Sequence, residues 1–241
     1  MRKSIIGFAV FCIVSIICSA RAENNAVGND IDSTEFRIDT ALAVQMREIS
    51  HNFGPIMQHL ADSIAALHGG RVTPTNYKSL SSTLRKCNTD KVQADKLNDL
   101  VRCMIACPYD SLHFMITDLV NTAKKKGLFK YYKHQEYVGR GYWGDMVILD
   151  HGVIGSEIQV KSFYMAYANY EGDIIGFIGD SIFNEIKKET GLQPCMSHRY
   201  YEIIRDVTGK YSDDEKRKAV EENVKYLKAF WEDYEEGVRF Y

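Results

Sequence analysis

Residues 141–161 read GYWGDMVILDHGVIGSEIQVK. Two runs rich in β-branched and apolar residues, 142–149 and 154–160, flank the polar break Asp150-His151-Gly152, and the pattern predicts a β-hairpin. Period-two alternation sends Glu157, Gln159 and Lys161 to one face of the second strand and Ile158 and Val160 to the other. One face is core. The other, on this segment alone, is explained as well by solvent as by chemistry.

Upstream, 128–138 predicts a strand dense in Lys130, Tyr131, Tyr132, Lys133 and His134, a mixture that suits either a nucleotide or an exposed edge. Leu97 to Cys107 predicts a strand led by Asp99, with Val101, Cys103 and Ile105 facing one way and Arg102 and Met104 the other. Helical spacing accounts for most of the remainder. Leu42, Met46, Ile49 and Phe53 mark one helix, and Pro55 opens a second, with Ile56, Leu60, Ile64 and Leu67, that stops at Gly69-Gly70. A short helix over Tyr77–Lys86 carries Lys78, Arg85 and Lys86, cations that fit phosphate or plain surface equally. Further helices cover 112–126, 163–189 with an interruption near Gly172-Asp173, and about 197–208. Ser212 and Glu215 form a capping box that opens the last one, whose Val220, Val224, Leu227, Trp231, Tyr234 and Val238 make a packing seam against the domain or a partner. Helices outnumber strands, so the fold class is α+β: a small mixed sheet flanked by helices, with helical additions at both ends.

The chain opens on Arg2 and Lys3, an apolar run from Ile5 to Cys18, and Ala20-Arg21-Ala22, which predicts a cleaved signal peptide over 1–22 and a periplasmic or secreted product without a membrane anchor. A leader over 23–37, a domain over 38–211 and the terminal helix over 212–241 follow. Removal of the signal lowers the basic count from 30 to 27 against 32 acids, a net charge of about −5. That balance excludes a generally cationic nucleic-acid binder. Of the four cysteines left, Cys87, Cys103, Cys107 and Cys195, the second and third lie about 13 Å apart on a strand and cannot pair, and the spacings match no zinc motif. Buried free thiols are the expectation.

The order of these pieces resembles the RelA/SpoT nucleotidyltransferase-like family of alarmone synthetases, in its small single-domain form. Gly70-Arg71 before a basic helix is similar to the GRxK element, and Asp99-Leu100-Val101-Arg102 to the metal-binding aspartate motif. Gly141-Tyr142 resembles the GY motif, Glu157-Ile158-Gln159-Val160 the E-[IL]-Q-[IV] strand, and His198 to Arg205 the HKxYEExR helix. Two positions depart from the pattern: Thr73 stands where lysine follows GRx, and Met146 where a polar residue follows the GY tyrosine.

The resemblance implies a nucleotidyltransferase-like fold and transfer of the β,γ-diphosphate of ATP to the 3′-hydroxyl of a purine nucleotide, by an exported effector or toxin. It implies Mg²⁺ on Asp99 and Glu157, Glu157 also orienting or deprotonating the hydroxyl, and Tyr142 stacked on the acceptor base. Arg71, counted with Glu157 as catalytic, would take donor phosphates together with Lys130, Lys133 and Arg140, and Gln159 would join Tyr142 in binding nucleotide. Partners are then purine nucleotides and a host or target-cell factor. Two alternatives stay open: an RNA 3′-end pyrophosphokinase, and a secreted pseudoenzyme that only binds, to which the changes at Thr73 and Met146 point.

Overall fold

The computed structural model describes residues 36–137, 142–206 and 208–230, without the side chains of 135–137, 142 and 143. The predicted signal peptide, nearly all of the leader, Arg140, and Trp231, Tyr234 and Val238 of the terminal seam lie outside the described residues.

Six strands form one sheet: β1 (Arg71–Val72), β2 (Asn76–Tyr77), β3 (Val101–Cys107), β4 (Phe129–Tyr137), β5 (Tyr142–Asp150) and β6 (Gly155–Ser162), in the order β1-β3-β6-β5-β4 with β2 also beside β3. The hairpin predicted from 141–161 is β5–β6. Its turn is closed by the Gly152 N–H donating to Asp150 Oδ1 at 2.8 Å. Its antiparallel register sets Met146 opposite Gln159 and Ile148 opposite Glu157. The central pair β3–β6 is parallel, with Arg102 opposite Glu157, Met104 opposite Gln159 and Ala106 opposite Lys161. Lys133 of β4 faces Met146, and Tyr131 faces Ile148. The sheet is therefore mixed, and the predicted α+β class is the one observed.

On β3, β5 and β6 one face of the sheet is buried. Helices α1 (Thr40–Ser50), α2 (Gly54–Leu67) and α4 (Leu112–Lys125) lay Met46, Met57, Leu60, Ile64, Met115 and Leu119 on Val101, Cys103, Ile105, Val147, Leu149, Ile158 and Val160. Each such side chain contributes about 1.5–3 kcal/mol by leaving water. The opposite face is covered at one end only, where α5 (Phe163–Asn169), α6 (Ile174–Ile178) and α7 (Asp180–Thr190) pack Phe163, Ala166, Tyr167, Phe177 and Ile178 over Ala106.

Two helices differ from the sequence reading. The helix expected over Tyr77–Lys86 is α3 (Leu80–Asp90), because Tyr77 pairs with Val101 and Ser79 takes the N-cap, its hydroxyl accepting from the Ser82 N–H at 3.2 Å. The span 163–189 holds three helices: besides the break at Asp173, Gly179 adopts φ +86°, a conformation open to glycine, and separates α6 from α7. The Ser212–Glu215 capping box is present at the start of α9 (Asp213–Lys228), which packs on α5 and on α8 (Met196–Ile204) through Tyr226 and Leu227. The four cysteines among the described residues are free thiols, and Cys87, Cys103 and Cys107 are buried.

Candidate active site

Asp99 stands at the mouth of β3, held there because the neighbouring Leu97 and Leu100 are sunk in the core. The Lys78 backbone N–H donates to Leu100 O at 2.8 Å, which extends the β2–β3 ladder by one residue and brings the Lys78 side chain alongside. Lys86 comes from α3, whose Thr83 and Cys87 are buried. Both ammonium groups converge on one oxygen: Asp99 Oδ2 lies 2.7 Å from Lys86 Nζ and 3.0 Å from Lys78 Nζ. Oδ1 is buried and has no hydrogen-bond partner. Burial by itself would raise the Asp99 pKa, but Lys86 and Lys78 outweigh it and hold the carboxyl below its ordinary value. Lys86 responds in kind: burial lowers its pKa, the Asp99 charge and hydrogen bond raise it, and the balance is upward.

Glu157 projects from β6 on the same side of the sheet as Arg102 and Ile148. Its Oε1 accepts from Gln159 Nε2 at 2.7 Å, which fixes the carboxylate two residues away along one face. Burial raises its pKa, the Gln159 bond opposes the shift and the Asp99 charge adds to it. Asp99 and Glu157 line a single cavity of about 310 Å³ together with Lys86, Asn98, Lys133 and Met146. That is the small end of the range for ligand clefts. Lys161, on the same face, is buried. Burial pulls its pKa down to about 8, against the pull of Glu157 and with that of Arg102. Its stem crosses Gly144, where a Cβ would stand 3.3 Å from Lys161 Cε.

This donor set fits a small hard cation. Asp99 and Glu157 share the cavity, with Asp90 also in its lining, and one buried Asp99 oxygen is unpartnered, which suits Mg²⁺, an ion held by one or two carboxylates and completed by waters and phosphates. No group of three or more His, Cys, Asp or Glu that would hold a metal without phosphate occurs among the described residues.

The other expected residues divide. Lys133 lines the cavity, and Lys130 donates from Nζ to Asn98 Oδ1 at 2.9 Å at its rim. Arg140 and the Tyr142 side chain lie outside the described residues. Arg71 is held apart: it pairs with Ala106, at the far end of β3 from Asp99, and does not line the cavity. Its guanidinium rests on Gly179, where a Cβ would stand 3.1 Å from Nη2. Arg71 is thus separated from Asp99 along β3, since β1 reaches β3 only at its C-terminal half. Thr73 is buried in the sheet edge, donating its N–H to Met104 O and accepting the Met104 N–H on its hydroxyl, both at 2.9 Å. The cations nearest Asp99 are Lys78 and Lys86. Sequence reasoning left that pair undecided and did not assign Arg102 or Lys161. The alternation that singled out Glu157 and Gln159 also reaches Lys161, and was the signal available.

No protein-family model matches the chain. A curated protein of Pseudomonas aeruginosa strain UCBPP-PA14, described as the (p)ppApp synthetase toxin Tas1, is 29% identical over 148 residues, 61% of this chain and 33% of that protein. The match thus spans about a third of the length of that relative. Among solved structures, the Type VI effector Tas1 in complex with its immunity protein superposes with a TM-score of 0.62 at 24% identity, covering 80% of this chain and 96% of that one. The small alarmone synthetase 1 of Bacillus subtilis gives a TM-score of 0.40 at 12% identity over 80% of this chain and 94% of that one. The chain shares the fold of that Tas1 structure.

Proposed function

We propose that the protein is an ATP-dependent nucleotide 3′-pyrophosphokinase of the (p)ppGpp or (p)ppApp type, acting as an exported effector. The observation that carries this reading is one cavity lined by Asp99, with its unpartnered Oδ1, by Glu157, and by Lys86 and Lys133, with Lys78 paired to Asp99 beside it. The similarity to a protein described as a (p)ppApp synthetase toxin points the same way. The export component rests on residues 1–22 of the sequence, and intact-mass measurement of protein recovered outside the cytoplasm tests it by a start at Glu23. A partner protein that blocks the enzyme, as the immunity protein named with Tas1 suggests, belongs to the same proposal.

In this reading the acceptor 3′-oxygen attacks the β-phosphorus of ATP, the bond from that phosphorus to the oxygen of the α-phosphate breaks, and AMP leaves. The acceptor gains a diphosphate and loses its hydroxyl proton. Such a transfer is largely positioning and charge neutralisation. Glu157 receives the proton, a task for which an upward-shifted pKa improves a carboxylate as base, and Gln159 keeps it aimed. Lys78, Lys86 and Lys133 take the phosphate oxygens as point charges. Arg71, at the other end of β3, engages a part of the donor remote from the transferred phosphorus. Tyr142, beside Gly141 at the entry to β5, stacks on the acceptor base. Mg²⁺ on Asp99 and Glu157 would supply charge compensation at the β- and γ-phosphates.

Incubating the protein with ATP, Mg²⁺ and a panel of GMP, GDP, GTP, AMP, ADP, ATP and an RNA oligonucleotide tests this reading. The expected product is a purine nucleotide heavier by one diphosphate, with equimolar AMP. Label confined to RNA 3′ ends would replace the nucleotide acceptor by the RNA alternative.

A further inference from the structure

We propose that Lys78 and Lys86 make the cation site at Asp99 conditional on a bound polyphosphate: they close the carboxylate to a free metal ion and release it when phosphate oxygens draw them away. The proposal rests on the pyrophosphokinase reading of this cavity.

Both ammonium groups lie within 3.0 Å of Asp99 Oδ2, inside the space that a cation on that oxygen would need. The surrounding charge has the same sign. The cavity lining sets Asp90, Asp99 and Glu157 against Lys86, Lys96 and Lys133, and Lys78 on Asp99 with Arg102 and Lys161 on the same sheet face tip the balance to positive. A bare dication therefore meets a cationic pocket, whereas a polyphosphate meets a complementary one. The two lysines are also held differently. The Lys78 side chain is 14% exposed and follows directly on the β2–β3 ladder, while the Lys86 side chain is 37% exposed on a helix surface with a flexible four-carbon stem. Lys86 is the one free to swing. Asp99 Oδ1, buried and unpartnered, is then an acceptor that no protein donor competes for. The arrangement favours entry of metal together with nucleotide and disfavours loading of metal alone.

Free Mn²⁺ in titrations followed by electron paramagnetic resonance reads this out without turnover. The unmodified protein should bind Mn²⁺ weakly on its own and bind inorganic tripolyphosphate in the presence of EDTA. Lys86→Met should bind Mn²⁺ alone about tenfold more tightly or better, because one positive charge beside the ion is gone. Lys78→Met should shift it in the same direction, and Lys86→Gln replaces the methionine variant if that one does not fold. Adding Asp99→Asn to Lys86→Met should abolish the gain, which assigns it to this carboxylate. Equal Mn²⁺ affinity in the unmodified protein and both lysine variants would overturn the gate and leave the transfer reading standing. Failure of the unmodified protein to bind either tripolyphosphate or ATP, with or without metal, would overturn both.

Discussion

The two ends of one sheet face have opposite fates. At the Ala106 end, β3 and β6 meet Phe163, Tyr167, Phe177 and Ile178 from α5–α7 and form a second apolar layer. At the Arg102 end, the same two strands carry Glu157 opposite Arg102, with Asp99 and its lysines just beyond, and a cavity opens in place of packing. Alternation along the strands is identical in both halves. What differs is the company: one end can be covered because its side chains tolerate loss of water, whereas covering the other would strand several charges in an apolar medium. Lys161 pairs with Ala106 at the covered end, and burial there pulls its pKa down to about 8.

Substitutions at the two ends should therefore fail in different ways. The largest effect is expected at the open end. Glu157→Gln should slow pyrophosphate transfer by about 10²–10⁴-fold, the usual worth of a general base, while leaving the fold intact. A carboxyl whose folded pKa is raised binds protons more tightly folded than unfolded, so it costs stability once the pH exceeds its unfolded value. The same variant should accordingly raise unfolding free energy at pH 7–8 by roughly 0.5–2 kcal/mol, a trade of activity against stability. Chemical denaturation beside a rate assay checks both halves. At the covered end, Phe163→Ala should cost about 3–5 kcal/mol of stability by leaving an aromatic cavity, with ATP affinity in the folded fraction unchanged. Equal loss of ATP affinity would merge the two ends into one unit.

Smaller effects sharpen the boundary. Lys161 has a depressed folded pKa, so the unfolded chain binds the extra proton between about pH 8 and 10, and stability should rise with pH across that window. Lys161→Met should flatten the rise, by ~1–3 kcal/mol in urea titrations at pH 7 and pH 10. Thr73→Val removes the hydroxyl that accepts the Met104 N–H and should cost about 1 kcal/mol in the same titration, with no change in rate. A marked rate loss at Thr73 would return that position to the site.

Much of this contrast was legible in the residues. The hairpin, the paired faces of β3 and the placement of Asp99 at a strand mouth follow from local alternation and turn chemistry, and Glu157 with Gln159 came from the same pattern. The parallel pairing of β3 with β6 did not, because it joins strands separated by α4, β4 and β5 and leaves no local signature. Without it the placement of Glu157 beside Arg102, close to Asp99, is invisible. Arg71 shows the converse error: the motif resemblance grouped it with Asp99, whereas the register places it opposite Ala106. Likewise the apolar period from Ile175 to Ile186 hid the break at Gly179, where the chain turns so that the Arg71 guanidinium can lie against a bare backbone.

The central claim is that the open end performs transfer chemistry, and AMP release is its most direct readout. The rate of AMP formation from ATP with Mg²⁺ and an accepted purine nucleotide should be measured for the unmodified protein and for Glu157→Gln, each at ATP concentrations that saturate its own binding. The account predicts AMP and diphosphorylated acceptor in equal amounts from the first, and near-complete loss from the second despite retained ATP binding. AMP release at the same rate from both, or none from either across the acceptor panel, would contradict it.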